Sequence, residues 1–164
     1  MIRAIVFDWG DTIMRNIPGQ SGPMAHWPRV EAVAGVGEIL RALHPTYHLA
    51  LATNAQASDT ELVRTALQCV GLDTCFDSLF TARDLGAAKP DLRFFRAMSL
   101  RLGCRPEEVV MVGDDYLADV VGAKDAGWQA IWFNPAGAAC PLVHPSHDAD
   151  VAAMADLPSA LEGL

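Results

Sequence analysis

The feature that most limits the fold of this chain is an alternation of short apolar runs with helix-like segments along its length. The apolar runs predict strands at residues 3–8, 47–53, 78–81, 109–112 and 129–133. Periodic apolar positions predict helices at residues 36–43, 58–71, 91–102, 118–126 and 157–161, where the range 58–71 includes the residues that begin and end the helix. The 58–71 helix is expected to begin with a capping box in which Ser58 is the N-cap and Glu61 reaches back. Such alternation is typical of a mainly parallel sheet flanked by helices.

Size and composition fit one globular domain over residues 1–164. Hydrophobic residues make up 51% and charged residues 20%, and we find no repeat or low-complexity linker. The net charge of −8 argues against a nucleic-acid partner. No apolar stretch reaches the roughly 20 residues of a membrane span, and the N-terminus does not resemble a signal peptide. The four cysteines form no C-x-x-C pair, so we expect reduced thiols and a cytoplasmic location.

Polar residues follow three of the predicted strands. Asp8 ends the first strand, Thr53 ends the second and Asp114 follows the fourth. Ligands of such sheets bind outside the carboxyl ends of the strands, so these side chains are expected to share a site. The segment AAKPD adds Lys89 as a cation at a helix start, and VGDDYLAD adds further carboxylates, among them Asp119. Ligand sets made only of carboxylates suit Mg²⁺. A carboxylate nucleophile, a hydroxyl, a lysine and a metal ion are the groups that phosphoryl transfer through an aspartyl-phosphate requires.

The ordered segments FDWGDT, LATN, AKPD and VGDDYLADVVGAKDAG resemble the four motifs of the haloacid dehalogenase-like (HAD) superfamily. The resemblance extends from Ile5 to about Phe133. It implies a three-layer, Rossmann-like HAD core and, most often, a Mg²⁺-dependent phosphatase.

The resemblance also assigns roles to individual residues. Asp8 would be the nucleophile that accepts the phosphoryl group, and Lys89 would neutralise its charge and that of the phosphoryl oxygens. Thr53 would donate a hydrogen bond to those oxygens, and Asn54 belongs to the same phosphate-binding segment. The implied metal ligands are the carboxylates of Asp8 and Asp114 and the carbonyl of Gly10, with Asp119 near the metal or orienting Lys89.

Position 10 departs from the family pattern. HAD phosphatases usually carry an Asp two residues after the nucleophile as general acid and base, and here that residue is Gly10. Losing a positioned acid typically costs about 10²- to 10⁴-fold in rate. Three explanations stay open: Asp11 takes over the role, the leaving group needs little protonation, or the activity is weak. Asp11 is equally well explained as a turn residue that caps the loop.

The spacing between motifs leaves no room for a sizeable cap domain, because about forty residues or fewer separate Thr12 from Thr53 and Thr53 from Lys89. The expected substrate is a phosphorylated small molecule or a phosphoprotein, and a homo-oligomer that supplies a lid is left open. Two alternatives remain: a metal-independent dehalogenase-type hydrolase, and a non-catalytic module that binds a phosphorylated ligand or a protein.

Overall fold

A six-stranded, wholly parallel sheet forms the centre of the molecule. The computed structural model describes all 164 residues. The strands are β1 (Ala4–Asp8), β2 (His48–Thr53), β3 (Ser78–Thr81), β4 (Val109–Gly113), β5 (Gln129–Phe133) and β6 (Ala149–Val151). Their order across the sheet is β3-β2-β1-β4-β5-β6, and every neighbouring pair is parallel. The predicted α/β fold with a parallel sheet is confirmed.

The sixth strand corrects the prediction that the chain after Asn134 is loop up to the last helix. It has only three residues and lies at the sheet edge, where Ala149 to Val151 pair with Ile131 to Phe133. So short a segment carries no apolar run of its own, and its strand conformation depends on the neighbouring β5.

Helices cover both faces of this sheet. They are α1 (Val36–Leu43), α2 (Thr60–Cys69), α3 (Ala82–Leu85), α4 (Leu92–Leu102), α5 (Gly122–Asp125) and α6 (Leu157–Glu162). A π-helical segment, Tyr116–Val121, leads directly into α5. This segment and α5 together account for the helix predicted at residues 118–126. Each sequence-predicted helix is therefore present.

The cap of α2 lies one residue later than predicted. Asp59, not Ser58, is the N-cap, and its carboxylate accepts a hydrogen bond from the backbone N–H of Leu62 at 3.0 Å. A carboxylate at the positive end of a helix is a stronger acceptor than a neutral hydroxyl. Ser58 is buried instead. The predicted capping box is wrong, although the helix itself is correct.

The sheet is buried on both faces, which explains its almost continuous apolar strands. In β1, Ile5 and Phe7 join a core cluster of 26 buried residues that includes α1, α2 and α6. Ala4 and Val6 point to the opposite face and a cluster of 17 residues that includes α4 and α5. The result is the expected three-layer, Rossmann-like arrangement.

No sizeable cap domain is present. Between β1 and α1 the chain forms turns and one 3₁₀ segment, Met24–His26, and it packs Ile13, Met14 and Met24 into the first core cluster. The connection therefore belongs to the core and does not form a separate unit. No helix in the structure combines the length and the apolar character that crossing a bilayer requires.

A test of the packing concerns Gly122, at the start of α5. A Cβ there would lie 2.6 Å from Phe95 Cε2 and 3.0 Å from the Cα of Pro90. Phe95 cannot turn away easily, because its ring is fully buried against Trp128. We expect Gly122→Ala to lower the free energy of unfolding by about 1–3 kcal/mol, despite the roughly 1 kcal/mol that alanine gains in helix propensity.

The control is Gly163→Ala near the C-terminus, where the nearest atom to a new Cβ is 3.5 Å away. Urea unfolding should show this variant to be unchanged or slightly stabilised. An equal loss in both variants would contradict the packing argument.

Candidate active site

The predicted site residues converge on a cavity at the carboxyl edge of the sheet. Because β1 lies between β2 and β4, the ends of these three strands are adjacent. The cavity has a volume of about 290 Å³. Its lining contains seven of the eight predicted site residues: Asp8, Gly10, Thr53, Asn54, Lys89, Asp114 and Asp119. A larger groove of about 750 Å³ between Arg96 and Pro106 is lined by no carboxylate. The smaller cavity is therefore the candidate active site.

Lys89 is the central charge of this cavity. Its ammonium donates hydrogen bonds to Asp8 Oδ1 at 2.5 Å, to Asp119 Oδ1 at 2.6 Å and to the carbonyl of Ala52 at 3.1 Å. The Lys89 side chain is almost completely buried. Burial alone would lower the pKa of Lys89, but the charges and hydrogen bonds of Asp119 and Asp8 outweigh it and raise the pKa. Lys89 is thus a permanent cation beside Asp8.

The backbone of Lys89 is held by Asn54. The Asn54 side-chain amide donates from Nδ2 to the carbonyl of Lys89 at 2.9 Å, and its Oδ1 accepts from the Lys89 N–H at 2.8 Å. The Asn54 side chain therefore fixes the lysine. The second hydrogen of Nδ2 and the backbone N–H of Asn54 are the donors that remain for a phosphoryl group.

Thr53 presents a hydroxyl donor at the end of β2. Its Oγ1 accepts a hydrogen bond from the backbone N–H of Ala55 at 3.0 Å, and the residue is only 3% exposed. A hydroxyl has one proton and two acceptor positions, so the proton remains available for a ligand oxygen. Thr53 is consequently suited to donate to a bound anion.

Asp114 is held by Thr12, a residue for which no role was predicted. The hydroxyl of Thr12 donates to Asp114 Oδ1 at 2.9 Å, and the backbone N–H of Asp114 donates to Thr12 Oγ1 at 3.2 Å. Burial and the nearby charge of Asp8 raise the pKa of Asp114 to about 6. Thr12 lies in the FDWGDT motif, so its closeness to Asp8 in the sequence was the available signal.

Asp119 is buried and turned towards Lys89. Its Oδ1 accepts from the lysine, and its Oδ2 accepts from the backbone N–H of Asp115 at 3.1 Å. Burial raises the pKa of Asp119, and the charge of Lys89 opposes that shift. A Cβ on Gly113 would collide with this carboxylate, which explains the glycine at the start of GDD. Ligand oxygens of Asp8, Asp114 and Asp119 lie within 4.8 Å of one another.

Asp11 is the one predicted site residue that does not line the cavity. Its carboxylate accepts two hydrogen bonds from Asn16, one from the backbone N–H at 2.9 Å and one from Nδ2 at 2.8 Å. Its φ of 57° belongs to a tight turn, a conformation that Asp tolerates better than most residues. The structure thus places Asp11 outside the cavity, with the contacts and backbone conformation of a turn residue.

Asn16 also lines the cavity, although it was not among the predicted site residues. It is five residues beyond Asp11 in a segment that reads as loop, and it reaches the site only because the chain turns back on itself. No motif or periodicity could have identified it.

Comparison with known proteins gives a family match. A family model described as haloacid dehalogenase-like hydrolase matches residues 21–133. A glyceraldehyde 3-phosphate phosphatase from Methanothermobacter thermautotrophicus is 40% identical over 65 residues, which are 40% of this chain and 29% of that protein. The chain spans less than half the length of the curated relatives it matches.

Solved structures extend the similarity to nearly the whole chain. The crystal structure of an uncharacterized protein from Listeria monocytogenes serotype 4b has a TM-score of 0.84 and 28% identity, and the match covers 98% of this chain and 97% of that one. A HAD phosphatase from Thermococcus onnurineus has a TM-score of 0.70 and 30% identity, over 82% of this chain and 60% of that one. The same core therefore occurs both at this length and within a longer protein.

The buried ion pairs generate a stability prediction. Lys89→Met would leave Asp8 and Asp119 without their cation, so we expect unfolding free energy to fall by about 3–5 kcal/mol. Lys124→Met is the control, because Lys124 pairs with a partly exposed Asp148 at 2.8 Å and should cost less than about 1 kcal/mol. Urea unfolding in metal-free buffer measures both. Similar losses in the two variants would show that Lys89 does not have this role.

Proposed function

The chain belongs to the haloacid dehalogenase-like hydrolase family, and we propose that it is a Mg²⁺-dependent phosphatase that forms an aspartyl-phosphate on Asp8. The observation that carries the proposal is the convergence of a carboxylate, a buried lysine and a hydroxyl donor on one cavity, at Asp8, Lys89 and Thr53. The phosphatases among the relatives support the same chemistry.

The proposed reaction has two displacements at phosphorus. A carboxylate oxygen of Asp8 forms a bond to phosphorus while the bond from phosphorus to the leaving oxygen breaks. Water then attacks the aspartyl-phosphate, which releases inorganic phosphate and regenerates Asp8. Lys89 holds the carboxylate of Asp8 in place through their hydrogen bond. Thr53 offers its proton to the phosphoryl oxygens, and the positive charge of Lys89 stabilises the negative charge that grows on them in the transition state.

The donor set fits a divalent cation. Asp8, Asp114 and Asp119 bring three carboxylates together with one lysine, so negative charge is in excess. Burial raises the pKa of Asp114, and the nearby charge of Asp8 raises it further, which is the part that reflects this excess. Asp8, Asp114 and the Gly10 carbonyl would hold Mg²⁺, while Asp119 is already occupied with Lys89 and the Asp115 N–H. When bound, Mg²⁺ supplies positive charge that stabilises the transferring phosphoryl group.

The proposed substrate class is a phosphorylated small molecule or a phosphoprotein. The site lies open at the sheet edge without a cap, so part of the substrate would remain outside the cavity. The net charge of −8 disfavours nucleic acids. A metal-independent dehalogenase-type reaction is the second candidate, and glycine at position 10 is the observation that favours it. The carboxylate cluster favours the phosphatase.

The nucleophile can be tested by Asp8→Asn. The amide has the same shape but no charge with which to attack phosphorus, so turnover of acetyl phosphate and p-nitrophenyl phosphate should vanish while the circular dichroism spectrum is unchanged. Asp125→Asn, at an exposed position, is the matched control and should keep full activity. More than a few per cent residual turnover in Asp8→Asn would exclude the covalent mechanism. Release of halide from a halo-acid without metal would favour the dehalogenase.

The metal proposal has a readout besides activity. Mg²⁺ that binds only the folded chain should raise the thermal midpoint, by an amount that corresponds to about 2.7 kcal/mol at a hundred times the dissociation constant. Asp114→Ala should abolish this shift together with turnover. Removal of the metal with EDTA should abolish the turnover of the wild type. Full activity in EDTA would refute the proposed site.

A further inference from the structure

The absence of a side chain at position 10 has a local cause. Gly10 does not adopt a positive φ, so its backbone would accept any residue. The obstacle is steric, because the three atoms nearest to a Cβ at this position all belong to the side chain of Asn16. They are Nδ2 at 2.7 Å, Oδ1 at 3.1 Å and Cγ at 3.3 Å. The amide of Asn16 therefore fills the space into which an acid at position 10 would project.

Asn16 is held in that space by Asp11. The Asp11 carboxylate accepts from both the backbone N–H and Nδ2 of Asn16, at 2.9 and 2.8 Å. The turn between them is closed by a hydrogen bond from the Asp11 N–H to the carbonyl of Met14 at 2.6 Å. Hydrogen bonds to an ionised acceptor are stronger than neutral ones, so the amide has a defined position despite its exposure.

The remaining hydrogen on Nδ2 defines what Asn16 can do. An amide nitrogen carries two hydrogens, and only one of them is donated to Asp11. Asn16 and Asp8 line the same cavity, so the second hydrogen is available to a ligand there. An amide does not give up a proton at ordinary pH, and so Asn16 can stabilise a leaving oxygen by a hydrogen bond but cannot protonate it.

We propose that Asn16, positioned by Asp11, takes the place of the missing acid and makes the site selective for phosphoryl donors whose leaving group departs as an anion. Acyl phosphates and phosphoanhydrides are the expected class, and the inference rests on the proposed phosphatase function. As the Asp8–phosphorus bond forms, the leaving oxygen keeps the electron pair of the broken bond. It accepts a hydrogen bond from Asn16 and leaves without a proton from the protein.

The first test is a series of leaving groups. Acetyl phosphate, p-nitrophenyl phosphate and glycerol 1-phosphate span acidic to weakly acidic leaving groups, and kcat/KM should fall about 10²- to 10⁴-fold along the series. Asn16→Ala removes one hydrogen bond to the transition state and should lower kcat for acetyl phosphate about two- to ten-fold with little change in KM. Gln20→Ala, in the same loop but outside the cavity, is the control and should leave both constants unchanged.

The second test asks whether Asn16 occupies the place of the acid. Gly10→Asp alone should raise the rate with glycerol 1-phosphate less than about ten-fold, because the new side chain meets the Asn16 amide. Gly10→Asp combined with Asn16→Ala vacates that space and should raise the rate about 10²-fold. An equal gain in the single and the double variant would overturn the proposal.

The third test separates positioning by Asp11 from direct catalysis. If Asp11 acts through Asn16, Asp11→Ala should reduce kcat for acetyl phosphate as Asn16→Ala does, and the double variant should be no worse than Asn16→Ala. Additive losses, or a loss confined to glycerol 1-phosphate, would overturn this role. Thermal unfolding shows that each variant is folded. Asn16→Ser is a second variant that removes the amide of Asn16, and it should behave as Asn16→Ala does.

The outcomes also distinguish this inference from the proposed function. A wild type that hydrolyses none of the three phosphates would overturn both. A wild type that hydrolyses all three at similar rates, or an Asn16→Ala variant with unaltered kcat, would overturn only the role of Asn16.

Discussion

The bridge from the Lys89 ammonium to the carboxylates of Asp8 and Asp119 is the constraint on which the rest of the site depends. A lysine this deeply buried stays charged because two carboxylates face it and accept hydrogen bonds from its ammonium. The surrounding residues maintain that arrangement. Asn54 fixes the lysine backbone, and Gly113 leaves space for the Asp119 carboxylate. The site is therefore pre-organised before any ligand binds, which is the condition for electrostatic stabilisation without reorganisation.

Much of this organisation follows from the sequence because the parallel sheet is buried on both faces. Continuous apolar runs predicted β1 to β5 within about one residue, and parallel strands bring Asp8, Thr53 and Asp114 to a single edge. The predictions that failed concern the cap of α2 and the strand β6, which depend on neighbouring groups. At α2 a neighbouring carboxylate replaced a hydroxyl as the cap, and β6 exists only through its pairing with β5.

The relation between Asp11, Asn16 and Gly10 could not be predicted, because it depends on the path of a loop. From the sequence, Asp11 was a candidate acid on account of its type and its closeness to Asp8. In the structure, residues 11–16 turn back so that Asn16 enters the cavity and engages both oxygens of the Asp11 carboxylate. A side chain at position 10 would have to displace the amide of Asn16, which already lies in the space beside Gly10.

For the proposed phosphatase, an open cavity of about 290 Å³ makes the chemistry of the leaving group a more effective basis for selection than the shape of the substrate. Sites that recognise a whole small molecule are usually larger and enclose most of its surface. Where part of a substrate stays in solvent, little binding energy from its remote groups can be used to lower the barrier. Discrimination must then act near the phosphoryl group, where Lys89, Thr53 and Asn16 lie. In the proposed reaction, a donor at Asn16 that cannot protonate favours reactive phosphoryl bonds over stable esters, and so it supplies selectivity that a cap would otherwise provide.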